Sequence, residues 1–230
     1  MDNSKIEKLI DNLEGTGDYR LPQRAYHVVR LAIRDLILPP GTTILEREMA
    51  EVLQMSRTPV REALVRLETE GMVQLIPRRG FIVKPIEKED LKRIYEIVET
   101  LDALAVSLAT EKVGESEITG LETSIRLQEE ALEERDLKKW ARLDDHFHHQ
   151  IIDYSKNKRL RAIIDTLSDQ IYRARLLTID NRPVPFHSIT EHKAIISCMR
   201  AKDGTAASVL MQSHRNRARK EILKVITEKH

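Results

Sequence analysis

The stretch SRTPVREALVRLETEG, Ser56 to Gly71, decides how the chain is read. Ser56 suits an N-cap, because its hydroxyl can accept from an otherwise orphaned backbone N–H. Pro59 falls in the first turn, where a missing N–H costs little. Val60, Ala63, Leu64 and Leu67 follow at helical spacing as one apolar stripe. Gly71 stands where a left-handed residue ends a helix. The cap leaves Arg57, Thr58 and Arg61 off the stripe, near the N-terminal end. Two arginines and a hydroxyl there suit the major groove, where arginine bonds guanine edges and phosphates.

Working outward, LPPGTTILEREMAEVLQM holds a turn at Pro39-Pro40-Gly41 and then Thr43 with Glu46 three residues on, the pattern of a capping box. A short helix over about Glu46–Leu53 is expected, with a tight link through Gln54-Met55 as in a helix-turn-helix. Downstream, VQLIPRRGFIVKP reads as two strands, Val73–Ile76 and Phe81–Lys84, joined by Pro77-Arg78-Arg79-Gly80. That is a hairpin with a basic tip. Helix, helix, recognition helix and wing make a winged helix-turn-helix.

The run from Pro40 to Val83 resembles the DNA-binding domain of the GntR family of bacterial transcription regulators. The shared features are the PG turn, the E-R-E-x-A helix, S-R-T-P-V-R-E-A-L, the E-G before the wing and R-R-G at its tip. The resemblance implies that Arg47, Arg57, Thr58, Arg61, Arg79 and Gly80 touch DNA.

The whole chain has 230 residues, 41% hydrophobic and only 4% aromatic, so its one or two cores must be aliphatic. Net charge is +1 overall, but Leu21–Pro85 carries ten Lys and Arg against seven Asp and Glu. The basic excess therefore sits at the end read as DNA-binding. The single cysteine, Cys198, excludes an internal disulfide and a cysteine-based zinc finger. No apolar run has the length of a membrane span, and the acidic start is not a signal peptide. A cytoplasmic protein is expected.

Residues 1–20 read as an arm, either a short packing helix (Ile6, Leu9, Ile10, Leu13) or a mobile tail. Residues 21–85 form the winged domain, opened by Pro22, and 86–89 a short linker. From 90 to 230 there is no strand signal. Six helices are expected: about Leu91–Thr110, Glu117–Glu134 capped by Ser116, Leu137–Ser155 capped by Asp136, Lys158–Thr178, Ser188–Ala201 and Thr205–Thr227. The fold class is mainly α, with an N-terminal winged helix-turn-helix domain and a C-terminal antiparallel helical bundle. Ile97, Leu104 and Ile163 are counted among the inward apolar positions of that bundle.

Within the bundle, Asp144 and His148 are i and i+4, beside an apolar stripe of Leu143, Phe147, Ile151 and Tyr154. His192 falls on the apolar face of its helix with Ile189, Ile196 and Met199. His214 does likewise with Ala207, Met211, Ala218 and Val225, whereas His146 and His149 point elsewhere. Three histidines and a carboxylate converging in a bundle suit zinc, nickel or another divalent transition metal. Spacing alone equally permits separately satisfied core histidines.

Residues 90–227 resemble the FCD effector domain of the FadR-like branch of GntR regulators, through D-x-x-F-H (Asp144 to His148), S-x-N-x-x-L (Ser155 to Leu160), E-H-x-A-I (Glu191 to Ile195) and the late His214. The resemblance implies that Asp144, His148, His192 and His214 bind a divalent metal and that a small carboxylate binds beside it. Arg173 or Arg175, in Q-I-Y-R-A-R, falls where the family supplies a carboxylate-binding arginine, and only one of the two can face inward. The chain departs from the pattern at Val98, in Tyr95-Glu96-Ile97-Val98, where such domains carry arginine. The expected protein is a metabolite-responsive regulator, in this family more often a repressor. It would bind a palindromic operator as a homodimer. A metal-sensing regulator and, more remotely, a metal-dependent enzyme are the alternatives.

Overall fold

A computed structural model describes residues 3–13 and 19–226. The chain divides into two units, Met1–Ile86 and Glu87–His230. In the first, α1 (Asn3–Leu13) seats Ile6 in the unit's core, with Leu9 and Ile10 packed against it. Gly15 and Gly17, which follow this helix in the sequence, lie outside the described residues. Next come α2 (Leu21–Arg34), β1 (Thr43–Ile44), α3 (Glu46–Leu53), α4 (Arg57–Thr69), β2 (Val73–Ile76) and β3 (Gly80–Val83). The α2 face of Ala25, Val28, Val29, Ala32 and Ile33 meets the Val60, Ala63, Leu64 and Leu67 stripe of α4 in one aliphatic core.

Two local expectations fail here. Thr43 and Glu46 form no capping box: Thr43–Ile44 is a strand, and the N-cap of α3 is Leu45, without a side-chain bond. The sheet takes Thr43 opposite Ile82 and Ile44 opposite Phe81, so ladder hydrogen bonds replace the cap. The strand order is β1-β3-β2, all antiparallel, with Val73 opposite Val83 and Ile76 opposite Gly80. Ser56 does occupy the N-cap of α4, but its hydroxyl makes no capping hydrogen bond. Gly71, at φ +74°, is left-handed as its place requires.

The second unit is helical among the described residues: α5 (Lys88–Lys112), α6 (Glu115–Glu133), α7 (Leu137–Tyr154), α8 (Lys158–Thr178), a 3-10 turn at Ile179–Asn181, α9 (Phe186–Arg200) and α10 (Gly204–Val225). Helix α5 packs against α7, α8, α9 and α10, while α6 lies on α7 and α9. Helix α5 begins inside the expected 86–89 linker, with Glu89 and Asp90 in its first turn, where carboxylates complement the helix dipole.

Asp136 caps α7 by accepting from the Lys139 backbone N–H, Asn157 caps α8 and Asp203 caps α10. Ser116 caps nothing. Helix α6 starts two residues earlier, behind Gly114, and the Glu117 carboxylate accepts from the Gly114 N–H at 2.9 Å. Ile97, Leu104 and Ile163 are exposed, against expectation. Periodicity marks a residue as apolar, but which apolar positions the chain itself covers depends on how its helices are arranged.

Candidate metal centre and nucleic-acid interface

Three helices bring the four side chains together. Helix α7 carries Asp144 and His148 one turn apart, α9 carries His192 and α10 carries His214, all essentially buried. One donor atom from each lies within 4.8 Å of the others. His148 Nε2 stands 3.2 Å from His214 Nε2, and His192 Nε2 stands 3.4 Å from His214 Nε2. Asp144 is 3.8 Å from His148 Nε2 through Oδ2 and 3.7 Å from His192 Nε2 through Oδ1. Donors about 2.0–2.2 Å from one tetrahedral ion stand roughly 3.3–3.6 Å apart, so this donor set fits a single metal.

The outer partners explain which nitrogens face inward. His192 Nδ1 faces the Gln128 amide oxygen on α6 at 3.2 Å, and His214 Nδ1 faces the Glu191 carboxylate at 2.7 Å. Both acceptors require an Nδ1–H, which leaves each Nε2 with a lone pair directed at the other. Two bare lone pairs at 3.4 Å repel unless a cation lies between them.

Burial lowers the pKa of all three imidazoles, joined at His148 by the positive Arg215 and at His192 by His214. At His214 the Glu191 hydrogen bond opposes burial, and the net shift is still downward. Neutral imidazoles are the metal-binding form. Burial alone would raise the Asp144 carboxyl, but Arg175, His192, His214 and Arg215 together outweigh it and hold the group ionised. Glu191 is likewise pushed up by burial and brought down to about 2 by hydrogen bonds from Arg217 and His214. His146 is exposed, and half-buried His149 turns its Nδ1 to the Asp145 carbonyl, so neither joins the cluster.

Of the two candidate arginines, Arg175 forms an ion pair with Asp144. Arg173 is also fully buried, but it donates to Gln170 Oε1 at 3.0 Å, and burial brings its pKa down to about 10. Sequence reasoning missed Gln128, Tyr95, Arg182 and the Arg215–Asp102 ion pair at 2.6 Å. Gln128 and Asp102 did leave a trace, as polar residues interrupting apolar helical faces. The Tyr95 hydroxyl is buried without a hydrogen-bond partner among the described residues, and its electrostatic neighbours include Arg175 and Arg182.

In the first unit, Gln54 at φ +53° turns the chain sharply from α3 into α4. Arg47, Arg57, Thr58, Arg61 and Arg79 are all exposed. Glu46, at the start of α3, takes Arg61 at 2.6 Å and Arg57 at 3.4 Å, tying the two arginines of α4 to one carboxylate. Gly80, at φ +84°, lies against Ile44 and Leu45, so the base of the wing tip abuts the start of α3. A shallow groove along α4, lined by Arg61, Glu62, Val65, Arg66, Thr69 and Glu70, comes from that helix alone and encloses no converging donors.

Residues 21–83 match the gntR family of bacterial regulatory proteins, and residues 93–217 match the FCD domain. The chain belongs to the GntR family. This GntR regulator is a DNA-binding transcription regulator of the FCD type, and its family and relatives are regulators rather than enzymes, which sets the enzyme alternative aside. It is 33% identical over 193 residues to the Nta operon transcriptional regulator of Aminobacter aminovorans, covering 82% of this chain and 90% of that one. It is 28% identical over 192 residues to the HTH-type transcriptional repressor RspR of Escherichia coli K12, covering 84% of each. Among solved structures, E. coli McbR/YncC shares its fold with a TM-score of 0.79 at 22% identity, covering 90% of this chain and 98% of that one. Among the described residues, no helix is long and apolar enough to cross a membrane.

Proposed function

We propose that this GntR regulator is a cytoplasmic repressor that binds a palindromic operator as a homodimer. Its operator affinity is controlled by a small carboxylate bound at a metal held by Asp144, His148, His192 and His214. The facing Nε2 lone pairs of His192 and His214, fixed by Gln128 and Glu191, carry the metal half of this reading. Zinc or nickel suits three imidazoles and one carboxylate. Such an ion supplies a Lewis-acidic point for an anionic ligand. Arg175 neutralises Asp144, and the unpartnered Tyr95 hydroxyl is a donor that a bound carboxylate would satisfy. The DNA half rests on the exposed Arg47, Arg57, Thr58, Arg61 and Arg79, with the Gly80 turn presenting the wing. A ligand in the helical unit alters operator binding only through different affinities for the DNA-binding and non-binding states.

The test is fluorescence anisotropy on the protein's own promoter DNA at fixed salt, with metal-loaded and chelator-stripped protein, against a panel of di- and tricarboxylic acids. The reading expects at least one acid to weaken binding of the loaded protein and none to act on the stripped one. If stripping alone abolishes operator binding and no acid has an effect, the metal is itself the signal. If elemental analysis finds no metal and acids act equally on both preparations, the metal half of the proposal fails.

A further inference from the structure

We propose that Arg182 makes this regulator select a dicarboxylate, by holding the ligand's second carboxylate while the first sits at the metal. This rests on the carboxylate reading above and narrows it to a ligand with two negative charges. Arg182 follows the 3-10 turn after α8, yet its side chain is only 6% exposed. Its Nε donates to the Thr178 hydroxyl at 3.0 Å and one Nη to the Arg175 carbonyl at 3.4 Å, both neutral acceptors. Among the described residues, the only carboxylate within ion-pair reach of it is Glu221, at 3.8 Å. Glu221 already accepts from Arg217 at 2.8 Å. A buried guanidinium without a close counter-ion is costly, so the local electrostatics favour a further anion.

The surroundings of Arg182 place that anion at the metal centre. Arg175 and Arg215, buried beside the centre, are each matched by a carboxylate, Arg175 by Asp144 and Arg215 by Asp102. Arg182 has no such match, although Arg175 and Asp144 are both among the charges it feels. Burial and the positive Arg175 push its pKa down, and an anion shared by the two guanidiniums would relieve that repulsion. Tyr95 on α5 is fully buried, and its unpartnered hydroxyl has Arg175 and Arg182 as electrostatic neighbours. Trp140, one turn before Asp144 on α7, likewise buries an unpartnered Nε1–H, with its ring 6.0 Å from the Arg175 guanidinium. Both groups can donate, as a carboxylate requires. A divalent ion on the four converging donors would add two positive charges against the single Asp144 carboxylate. One ligand carboxylate offsets part of that excess and leaves Arg182 facing Arg175. A second carboxylate gives Arg182 a charge-assisted partner whose geometry suits its planar fork.

The experiment is isothermal titration calorimetry of the metal-loaded full-length protein with acids paired by carbon number: malonate with propionate, succinate with butyrate, glutarate with pentanoate. Circular dichroism and metal content check that each variant folds. The wild type should bind at least one diacid roughly tenfold or more tighter than its monoacid. Arg182→Gln should abolish that preference, weakening the diacid by roughly tenfold or more and the monoacid by less than about twofold. Tyr95→Phe should weaken the diacid by about threefold. If Arg182→Gln changes neither acid of a pair, or weakens both alike, Arg182 merely braces the turn after α8. That result, or a wild type that prefers no diacid, overturns this inference and leaves the carboxylate reading intact. Should Arg182→Gln not fold, Tyr95→Phe decides, and an unaltered diacid affinity overturns the inference. A loaded wild type that binds none of the six acids would end both readings.

Discussion

The Glu46 carboxylate holds Arg57 and Arg61, which are themselves more than half exposed. Exposed ion pairs add little to stability, about 0–1 kcal/mol, so this clamp matters more for aiming than for folding. Glu46→Gln should leave the melting temperature nearly unchanged, yet lower the ratio of operator to non-operator affinity roughly fivefold, about 1 kcal/mol. Competition anisotropy reads that ratio, and an unaltered value would show that the arginines reach the bases unaided. Arg57→Ala with Arg61→Ala should weaken operator binding by about 1–3 kcal/mol for each bidentate arginine–base pair removed, with helicity unchanged. Unaltered affinity in that double variant would end the assignment of α4 to recognition. In the second unit, His192→Ala removes one of four converging donors, and metal content by elemental analysis should fall sharply. His146→Ala, on the exposed side of α7, should not lower it. An equal fall in both would mean that the metal is held by histidine content rather than by this geometry.

At the scale of elements, the wing depends on one backbone conformation. A Cβ at Gly80 would meet the Ile44 carbonyl oxygen at 2.8 Å and the Leu45 side chain at 2.9 Å, on a backbone at φ +84°. The left-handed conformation alone costs an L-residue about 1–2 kcal/mol, and here the carbonyl belongs to the paired strand β1 and cannot simply move aside. Gly80→Ala should therefore lower the melting temperature of the first unit by roughly 4–8 °C for each kcal/mol of destabilisation and weaken operator binding with it. A wild-type melting curve would show that the wing relaxes around the methyl group. The start of α7 was legible because Asp136 caps it by a short-range bond, and Asn157, not read as a cap from the sequence, does the same for α8. Strand β1 was not, because Thr43 and Ile44 gain their order from Ile82 and Phe81, distant in sequence. Likewise Ser116 has the chemistry of a cap, but the helix begins where Glu117 can reach back to Gly114.

At the scale of the whole molecule, the two units have separate cores, and a metal that binds only the folded second unit stabilises that unit. At a thousandfold excess over Kd the gain is about 4 kcal/mol, so chelation should lower the melting transition of the helical unit by about 10 °C. The transition of the DNA-binding unit should stay in place. Calorimetry with and without chelator distinguishes the two, and a shift in neither would argue against a folded-state metal. The winged-helix reading, the recognition helix and the four candidate ligands came from the sequence by itself, because periodicity, turn residues and contiguous motifs are local and survive without coordinates. Tertiary structure alone decided that Arg175 rather than Arg173 meets Asp144, and that Gln128 and Glu191 set the histidine tautomers. It alone also decided that Ile97 and Leu104 face outward. Each of these depends on which helix lies beside which, and a one-dimensional pattern carries the phase of a helix but not the identity of its neighbour.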